Sequence, residues 1–129
     1  MDIENIEKAK IARKNAYSPY SGFQVGAVLV CKSGKIYTGC NIENDGIQSI
    51  CAERTAFVKA ISEGERDFES IYIVGAKNGE EPEEECMPCG YCRQFMSEFV
   101  DEDFKIYTYG GKSIKEYIIK DILPGAFDI

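Results

Sequence analysis

Two short stretches hold the residues around which the chain is organised: CAER at residues 51–54 and PCGYCRQ at residues 88–94. Together they contribute three cysteines and one carboxylate, and the chain contains no histidine. A zinc site in this protein would therefore be built from sulfur, with carboxylate as the only other common ligand type. Three thiolates around Zn²⁺ leave the fourth tetrahedral position free for water, which distinguishes a catalytic zinc site from a closed structural one.

Each stretch is expected to form the first turn of a helix. The apolar residues that follow Cys51 recur with a helical period, at Ala52, Ala56, Phe57, Ala60 and Ile61. Pro88 is a residue type that is favoured at the first helical position. A helix N-terminus lowers thiol pKa values, and a spacing of three places Cys89 and Cys92 on one helical face. We therefore predict that Cys51, Cys89 and Cys92 bind one metal ion.

The two residues after Ala52 have polar side chains suited to the chemistry of such a site. Glu53 lies off the ligand row but within the first turn, where its carboxylate can serve as a general base. Three thiolates on Zn²⁺ leave the centre electron-rich, and a guanidinium hydrogen-bonded to the sulfurs would withdraw some of that charge. We assign this supporting role to Arg54.

The other three cysteines have different predicted roles. Cys31 and Cys40 lie on predicted strands and are expected in the core. Cys86 forms a second C-x-x-C pair with Cys89, but Pro88 separates Cys86 from the helix, so Cys92 is the better ligand. A closed four-cysteine site that includes Cys86 stays open as a structural alternative.

Together these motifs resemble the zinc-dependent cytidine deaminases, in particular the short, three-cysteine, homotetrameric type. Four further blocks in the family's order extend the resemblance over most of the chain: YSPYS (17–21), FQVGA (23–27), GCNIEN (39–44) and LPGAF (123–127). The resemblance implies one Zn²⁺ per chain and hydrolytic deamination of cytidine and deoxycytidine, with Glu53 transferring the protons. It also implies a three-layer α-β-α fold of the α/β class, with a five-stranded mixed sheet and helices on both faces.

The resemblance further implies residues that bind the substrate. Asn41 and Glu43, two apart at the end of the second predicted strand, match the pair that binds the ribose hydroxyls. Phe23 matches a phenylalanine that lines the pyrimidine pocket, and Ala52 is also expected to contact the substrate. Phe127 is expected to reach the site of a neighbouring subunit, so that the sites lie at interfaces of a homotetramer.

Two segments depart from the family pattern. Residues 45–50 are shorter than expected and lack an aromatic residue, and the acidic run at residues 80–85 is longer than usual. Both could change substrate choice, so a deaminase of a modified aminopyrimidine nucleoside such as blasticidin S is an alternative within the same class. A non-catalytic zinc-binding protein is the alternative from a different class.

Length and composition limit the partners. The 129 residues predict one domain spanning residues 1–129, large enough to fold without disulfides. A formal net charge of −7 with scattered basic residues argues against a nucleic-acid substrate. The acidic start MDIE predicts no secretory leader, and the sequence has no apolar run long enough to cross a bilayer. We therefore expect a cytoplasmic protein with reduced cysteines and no membrane partner.

The hydrophobic periodicity predicts the order of the elements. Helices are expected over residues 2–16, 51–63 and from 88 through 99, and strands over 23–30, 36–41, 69–76 and 104–109. Residues 114–119 fit either a short helix or a last strand, and the preceding Gly110-Gly111 pair favours a hairpin strand.

Overall fold

A computed structural model describes residues 2–45 and 48–127. In chain order its elements are α1 (Asp2–Arg13), β1 (Phe23–Cys31), β2 (Ile36–Cys40), α2 (Ala52–Ser62), β3 (Phe68–Lys77), α3 (Gly90–Ser97), β4 (Lys105–Gly110), β5 (Ser113–Tyr117) and α4 (Ile119–Ile122). No helix in the described ranges is long and apolar enough to cross a membrane.

The five strands form one mixed sheet in the order β2-β1-β3-β4-β5. β3 and β4 run parallel, because α3 connects them, and the other neighbouring pairs are antiparallel. The segment that was ambiguous in sequence resolves into two elements: β5 pairs with β4 as a hairpin, and α4 follows. The Gly-Gly turn therefore indicated the hairpin correctly.

Helices cover both faces of the sheet. On one face, Ile6 and Ala9 of α1 pack against Val28, Tyr72 and Val74. On the other face, α2 and α3 bury Phe57 and Met96 against a second set of strand residues, Leu29, Ile71 and Ile106. Adjacent residues such as Val28 and Leu29 belong to different clusters because a strand alternates its faces. The predicted three-layer α-β-α arrangement is confirmed.

The first helix is shorter than predicted. It ends at Arg13 rather than at residue 16, and the next three residues form turns in which each amide donates to the carbonyl three positions earlier. The Arg13 side chain is buried and donates to the carbonyls of Ala76 and Lys77 at 2.8 and 2.9 Å. Ile3 is 59% exposed, while Ala12 is buried.

The segment that carries the second cysteine pair also differs. Pro88 is not the first helical residue: α3 begins at Gly90, and Cys89 is its N-cap in an extended conformation. The Cys89 sulfur accepts a hydrogen bond from the Cys92 amide, which a residue inside the helix could not do in this way. The helix ends at Ser97, so Phe99 lies beyond it.

The end of β2 is one residue shorter than predicted. Cys40 is its last residue and is half-buried rather than fully in the core, whereas Cys31 is buried as predicted. Asn41 and Glu43 therefore lie just beyond the strand. The Asn41 side chain forms hydrogen bonds with the backbone of β1.

Candidate active site

Three cysteine sulfurs converge where two helices begin. The Sγ atoms of Cys51, Cys89 and Cys92 all lie within 4.8 Å of one another. Cys51 is the N-cap of α2 and Cys89 the N-cap of α3, while Cys92 is in the first turn of α3. Both helices thus direct the positive ends of their dipoles toward the sulfurs, which favours thiolate.

The separation of the Cys51 and Cys89 sulfurs fits a zinc ion. Zinc–sulfur bonds of about 2.3 Å in a tetrahedron place two sulfurs about 3.8 Å apart. The Cys51 and Cys89 sulfurs are 3.7 Å apart in the structure. A cluster of three rather than four ligands is also what an open, catalytic zinc site requires.

Hydrogen bonding within the cluster favours the thiolate form of Cys51. Hydrogen bonds from the Cys92 thiol and from Arg54 lower the pKa of Cys51 to about 5, against the effect of burial. The same bond to the Cys51 thiolate, together with burial, raises the pKa of Cys92. A divalent cation between the sulfurs would allow all three to ionise.

Glu53 is the buried acid of the site. Its side chain projects from the first turn of α2, and the residue is only 3% exposed. Burial raises its pKa to about 7, and the nearby Cys51 thiolate adds to the shift. A carboxyl group that titrates near neutral pH can both accept and donate a proton, as general acid–base chemistry requires.

Arg54 lies against the cysteine cluster. Its Nη2 atom lies 3.8 Å from the Cys51 sulfur and 3.2 Å from the carbonyl oxygen of Ser49. The guanidinium carbon is 4.2 Å from the centre of the Tyr91 ring, a cation–π contact that the sequence analysis missed. Tyr91 lies between Cys89 and Cys92, and this place in the motif is the sequence feature that could have indicated the contact.

Asn41 and Glu43 organise the segment that leads into β1. The Asn41 amide accepts from Val25 N at 2.8 Å and donates to the Phe23 carbonyl at 2.9 Å. Glu43 accepts from the backbone of Tyr20 and from Ser21, whose hydroxyl lies 2.5 Å away. The Ser21 hydrogen bond keeps the pKa of Glu43 below its usual value. These bonds join residues that are distant in the chain, and the sequence does not reveal them.

Phe23 and Cys86 meet above β3 at Gly75. A Cβ on Gly75 would lie 2.7 Å from the Cys86 sulfur and 2.9 Å from the Phe23 ring, so only glycine leaves room for both. Burial, with the charges of Glu53 and Cys51, raises the pKa of Cys86 to about 12. Cys86 is thus a neutral thiol near the site and does not belong to the three-cysteine cluster found among the described residues.

The remaining predicted residues lie in different places. Ala52 is fully buried directly after Cys51. Phe127 is 64% exposed and lines a cavity of about 840 Å³ next to α4, which none of the cluster cysteines lines. In the short 45–50 loop, Gly46 and Ile47 fall outside the described residues, and Asn44 and Ser49 are joined by hydrogen bonds.

Known proteins with similar sequences are cytidine deaminases. A family model described as the cytidine and deoxycytidylate deaminase zinc-binding region matches residues 1–108, which include all three cluster cysteines. The cytidine deaminase of Sporosarcina psychrophila is 45% identical over 130 residues, covering 98% of this chain and 92% of that protein.

Solved structures give the same result. The crystal structure of cytidine deaminase from Burkholderia pseudomallei superposes with a TM-score of 0.88 at 39% identity, over 98% of this chain and 99% of that one. The cytidine deaminase of Mycobacterium tuberculosis has a TM-score of 0.81 at 29% identity, over 98% and 97% of the two chains. The predicted family is confirmed: this chain belongs to the zinc-binding cytidine and deoxycytidylate deaminase family.

Proposed function

We propose that this protein hydrolyses cytidine and deoxycytidine to uridine and deoxyuridine, releasing ammonia. The observation that carries this proposal is the placement of a buried carboxyl group, Glu53, beside a three-sulfur cluster. The match of the whole chain to proteins named cytidine deaminase supports the same activity.

Cys51, Cys89 and Cys92 would hold the metal. Their sulfur separation fits Zn²⁺, and the family to which the chain belongs is a zinc-binding one. When bound, zinc supplies Lewis acidity that lowers the pKa of water toward about 7. Arg54 withdraws negative charge from the cluster through its contact with the Cys51 sulfur.

Glu53 moves the protons of the reaction. Its carboxylate accepts a proton from the attacking water and delivers protons to N3 of the cytosine and to the departing amino group. At C4 a C–O bond forms and the C–N bond breaks, so the products are a uracil nucleoside and ammonia. Burial raises the pKa of the Glu53 carboxyl group, which favours its uptake of a proton.

The substrate is proposed to lie against Phe23, Asn41, Glu43 and Ala52. Glu43 is a charged acceptor suited to ribose hydroxyls, and Phe23 is a half-exposed ring at the start of β1. A carboxylate beside the sugar, together with the net charge of −7, disfavours nucleotides and nucleic acids.

We also propose a homotetramer with sites at subunit interfaces, in which Phe127 packs on the base in a neighbouring site. In its own chain this ring is mostly exposed and away from the cysteine cluster. Other large side chains near the site are exposed as well: Tyr17, Tyr20 and Tyr91 are between 59% and 66% accessible.

The cellular role that we propose is nucleoside salvage by a single catalytic domain spanning residues 1–129 in the cytoplasm. All six cysteines are free thiols in the structure, which suits a reducing compartment.

A direct assay tests the activity. Zinc-loaded protein should convert cytidine and deoxycytidine with one ammonia released per uracil nucleoside, followed by ultraviolet absorbance and an ammonia-coupled reaction. Stoichiometric zinc without turnover of either nucleoside would instead indicate a non-catalytic zinc-binding protein.

A further inference from the structure

The acidic segment, residues 80–85, departs from the family pattern and has no part in the chemistry above. It immediately precedes the residues that lead to Cys89. Four of its five glutamates are exposed, as expected for a solvated charge run, but Glu85 is half-buried. Glu85 therefore has a role that a solvated run does not explain.

The Glu85 carboxylate is held by two hydroxyl groups of the neighbouring hairpin. Its Oε2 atom accepts hydrogen bonds from Thr108 Oγ1 of β4 and from Tyr117 OH of β5, both at 2.5 Å. Thr108 is fully buried, so this bond fixes the carboxylate against the sheet itself. Lys115 adds an ion pair at 3.9 Å to the other carboxylate oxygen, and its side chain is 61% exposed.

The backbone of the acidic segment also lies directly on this hairpin. A Cβ on Gly110 would come within 2.4 Å of the Glu84 carbonyl carbon and the Glu85 nitrogen. Only glycine allows so close an approach at the end of β4. The segment and the hairpin are thus in contact through both side chain and main chain.

The residues between Glu85 and Cys89 are also held in place by packing and hydrogen bonds. Cys86 and Met87 pack against the core beneath α2 and α3, and Pro88 is fully buried. From the other side, Arg93 donates to the Pro88 carbonyl at 2.8 Å and to the Ile122 carbonyl at 2.7 Å. Cys89 itself is exposed, so apart from the contacts of its sulfur with Cys92 and Cys51 its position depends on the backbone on either side of it.

We propose that Glu85 is a positioning residue that keeps Cys89 in place within the metal cluster by fixing the acidic segment to the β4–β5 hairpin. The proposal rests on the proposed role of Cys89 as a metal ligand. Residues that support metal ligands from outside typically change metal affinity by about 10- to 100-fold when mutated.

Zinc release measures this effect without any turnover. Zinc-loaded proteins are mixed with an excess of the chromogenic chelator 4-(2-pyridylazo)resorcinol at a temperature where circular dichroism shows every variant folded. We expect Glu85→Ala to release zinc about tenfold faster than the unmodified protein. The release rate of Glu85→Gln, whose amide oxygen can still accept hydrogen bonds from the two hydroxyl groups, should lie between those of Glu85→Ala and the unmodified protein.

Two controls separate positioning from charge and from general stability. Glu84→Ala removes the same charge from an exposed neighbour and should release zinc at the unmodified rate. Ile6→Ala destabilises the core on the opposite face of the sheet and should also leave the rate unchanged. If Glu85→Ala does not fold, Tyr117→Phe removes one of the two hydroxyl donors and should give a smaller acceleration in the same direction.

The thiolate-to-cobalt charge-transfer band of cobalt-substituted protein gives a second readout, which should weaken in Glu85→Ala and not in the controls. If Cys89→Ser loses zinc while Glu85→Ala releases it at the unmodified rate, the positioning role is wrong and the metal assignment stands. If Ile6→Ala accelerates zinc release as much as Glu85→Ala does, the positioning role of Glu85 is also wrong. If Cys89→Ser keeps its zinc, the metal assignment fails and the positioning role fails with it.

Discussion

The Sγ atoms of Cys51 and Cys89 lie 3.7 Å apart, although 38 positions separate the two residues in the chain. Each residue occupies the N-cap position of a different helix, so the sheet beneath α2 and α3 brings two helix starts to one point. The site thereby gains three sulfurs on a rigid framework.

Zinc binding should depend on Cys92 and not on Cys86. Cys92→Ser is expected to lose most of its zinc because one of three ligands becomes a weak one, whereas Cys86→Ser should keep about one zinc per chain. The zinc content of both variants is measured by inductively coupled plasma mass spectrometry. Zinc that is lost in Cys86→Ser but kept in Cys92→Ser would show that the ligand set is misassigned.

Glu53 should make the metal-free protein less stable at alkaline pH. Burial raises its pKa from 4.5 to about 7 in the folded state, so its ionisation opposes folding as the pH rises through this range. Glu53→Gln removes this effect and should stabilise the metal-free protein by about 2–3 kcal/mol at pH 8, but by much less at pH 4. Urea unfolding of both proteins at the two pH values measures the difference. An equal gain in stability at both pH values would mean that ionisation of Glu53 is not the source of the gain.

Free nucleosides should be better substrates than nucleotides. Glu43 stays charged because its pKa is lowered, and its charge would repel a 5′-phosphate near the ribose. The specificity constant for cytidine should therefore exceed that for CMP by at least about tenfold, and Glu43→Gln should narrow the gap. Comparable specificity constants for cytidine and CMP in the unmodified protein would show that Glu43 does not exclude the 5′-phosphate.

Two inactive variants should restore activity together if sites are shared between subunits. Glu53→Gln supplies an intact Phe127 and Phe127→Ala supplies an intact Glu53, so some sites in mixed oligomers would carry both. Co-expressed protein should be more active than the same variants purified separately and mixed at equal total concentration. Verified mixed oligomers without any gain would place Phe127 within its own chain, provided that Phe127→Ala alone is folded and impaired.

The helices, the strands and the pairing of Cys89 with Cys92 could be predicted from sequence because their signals are local, whereas the three-layer arrangement was implied by the resemblance to the deaminase family. Strand alternation, the Gly110-Gly111 turn and the spacing of Cys89 and Cys92 each depend on a few neighbouring residues. The hydrogen bonds of Glu85 could not, because its partners Thr108 and Tyr117 are 23 and 32 positions away. The same holds for Asn41, whose bonds to Val25 and Phe23 form only once β1 and β2 pair.

Turnover of cytidine by Glu53→Gln tests the central claim most directly. The amide keeps the shape of the buried side chain but cannot accept the proton, so the variant should stay folded, keep about one zinc per chain and lose at least about 10²-fold in kcat. Absorbance records the conversion to uridine, and metal analysis of the same sample establishes the zinc content. A zinc-loaded Glu53→Gln protein that retains most of the unmodified kcat would contradict the assignment of Glu53 as the group that transfers protons.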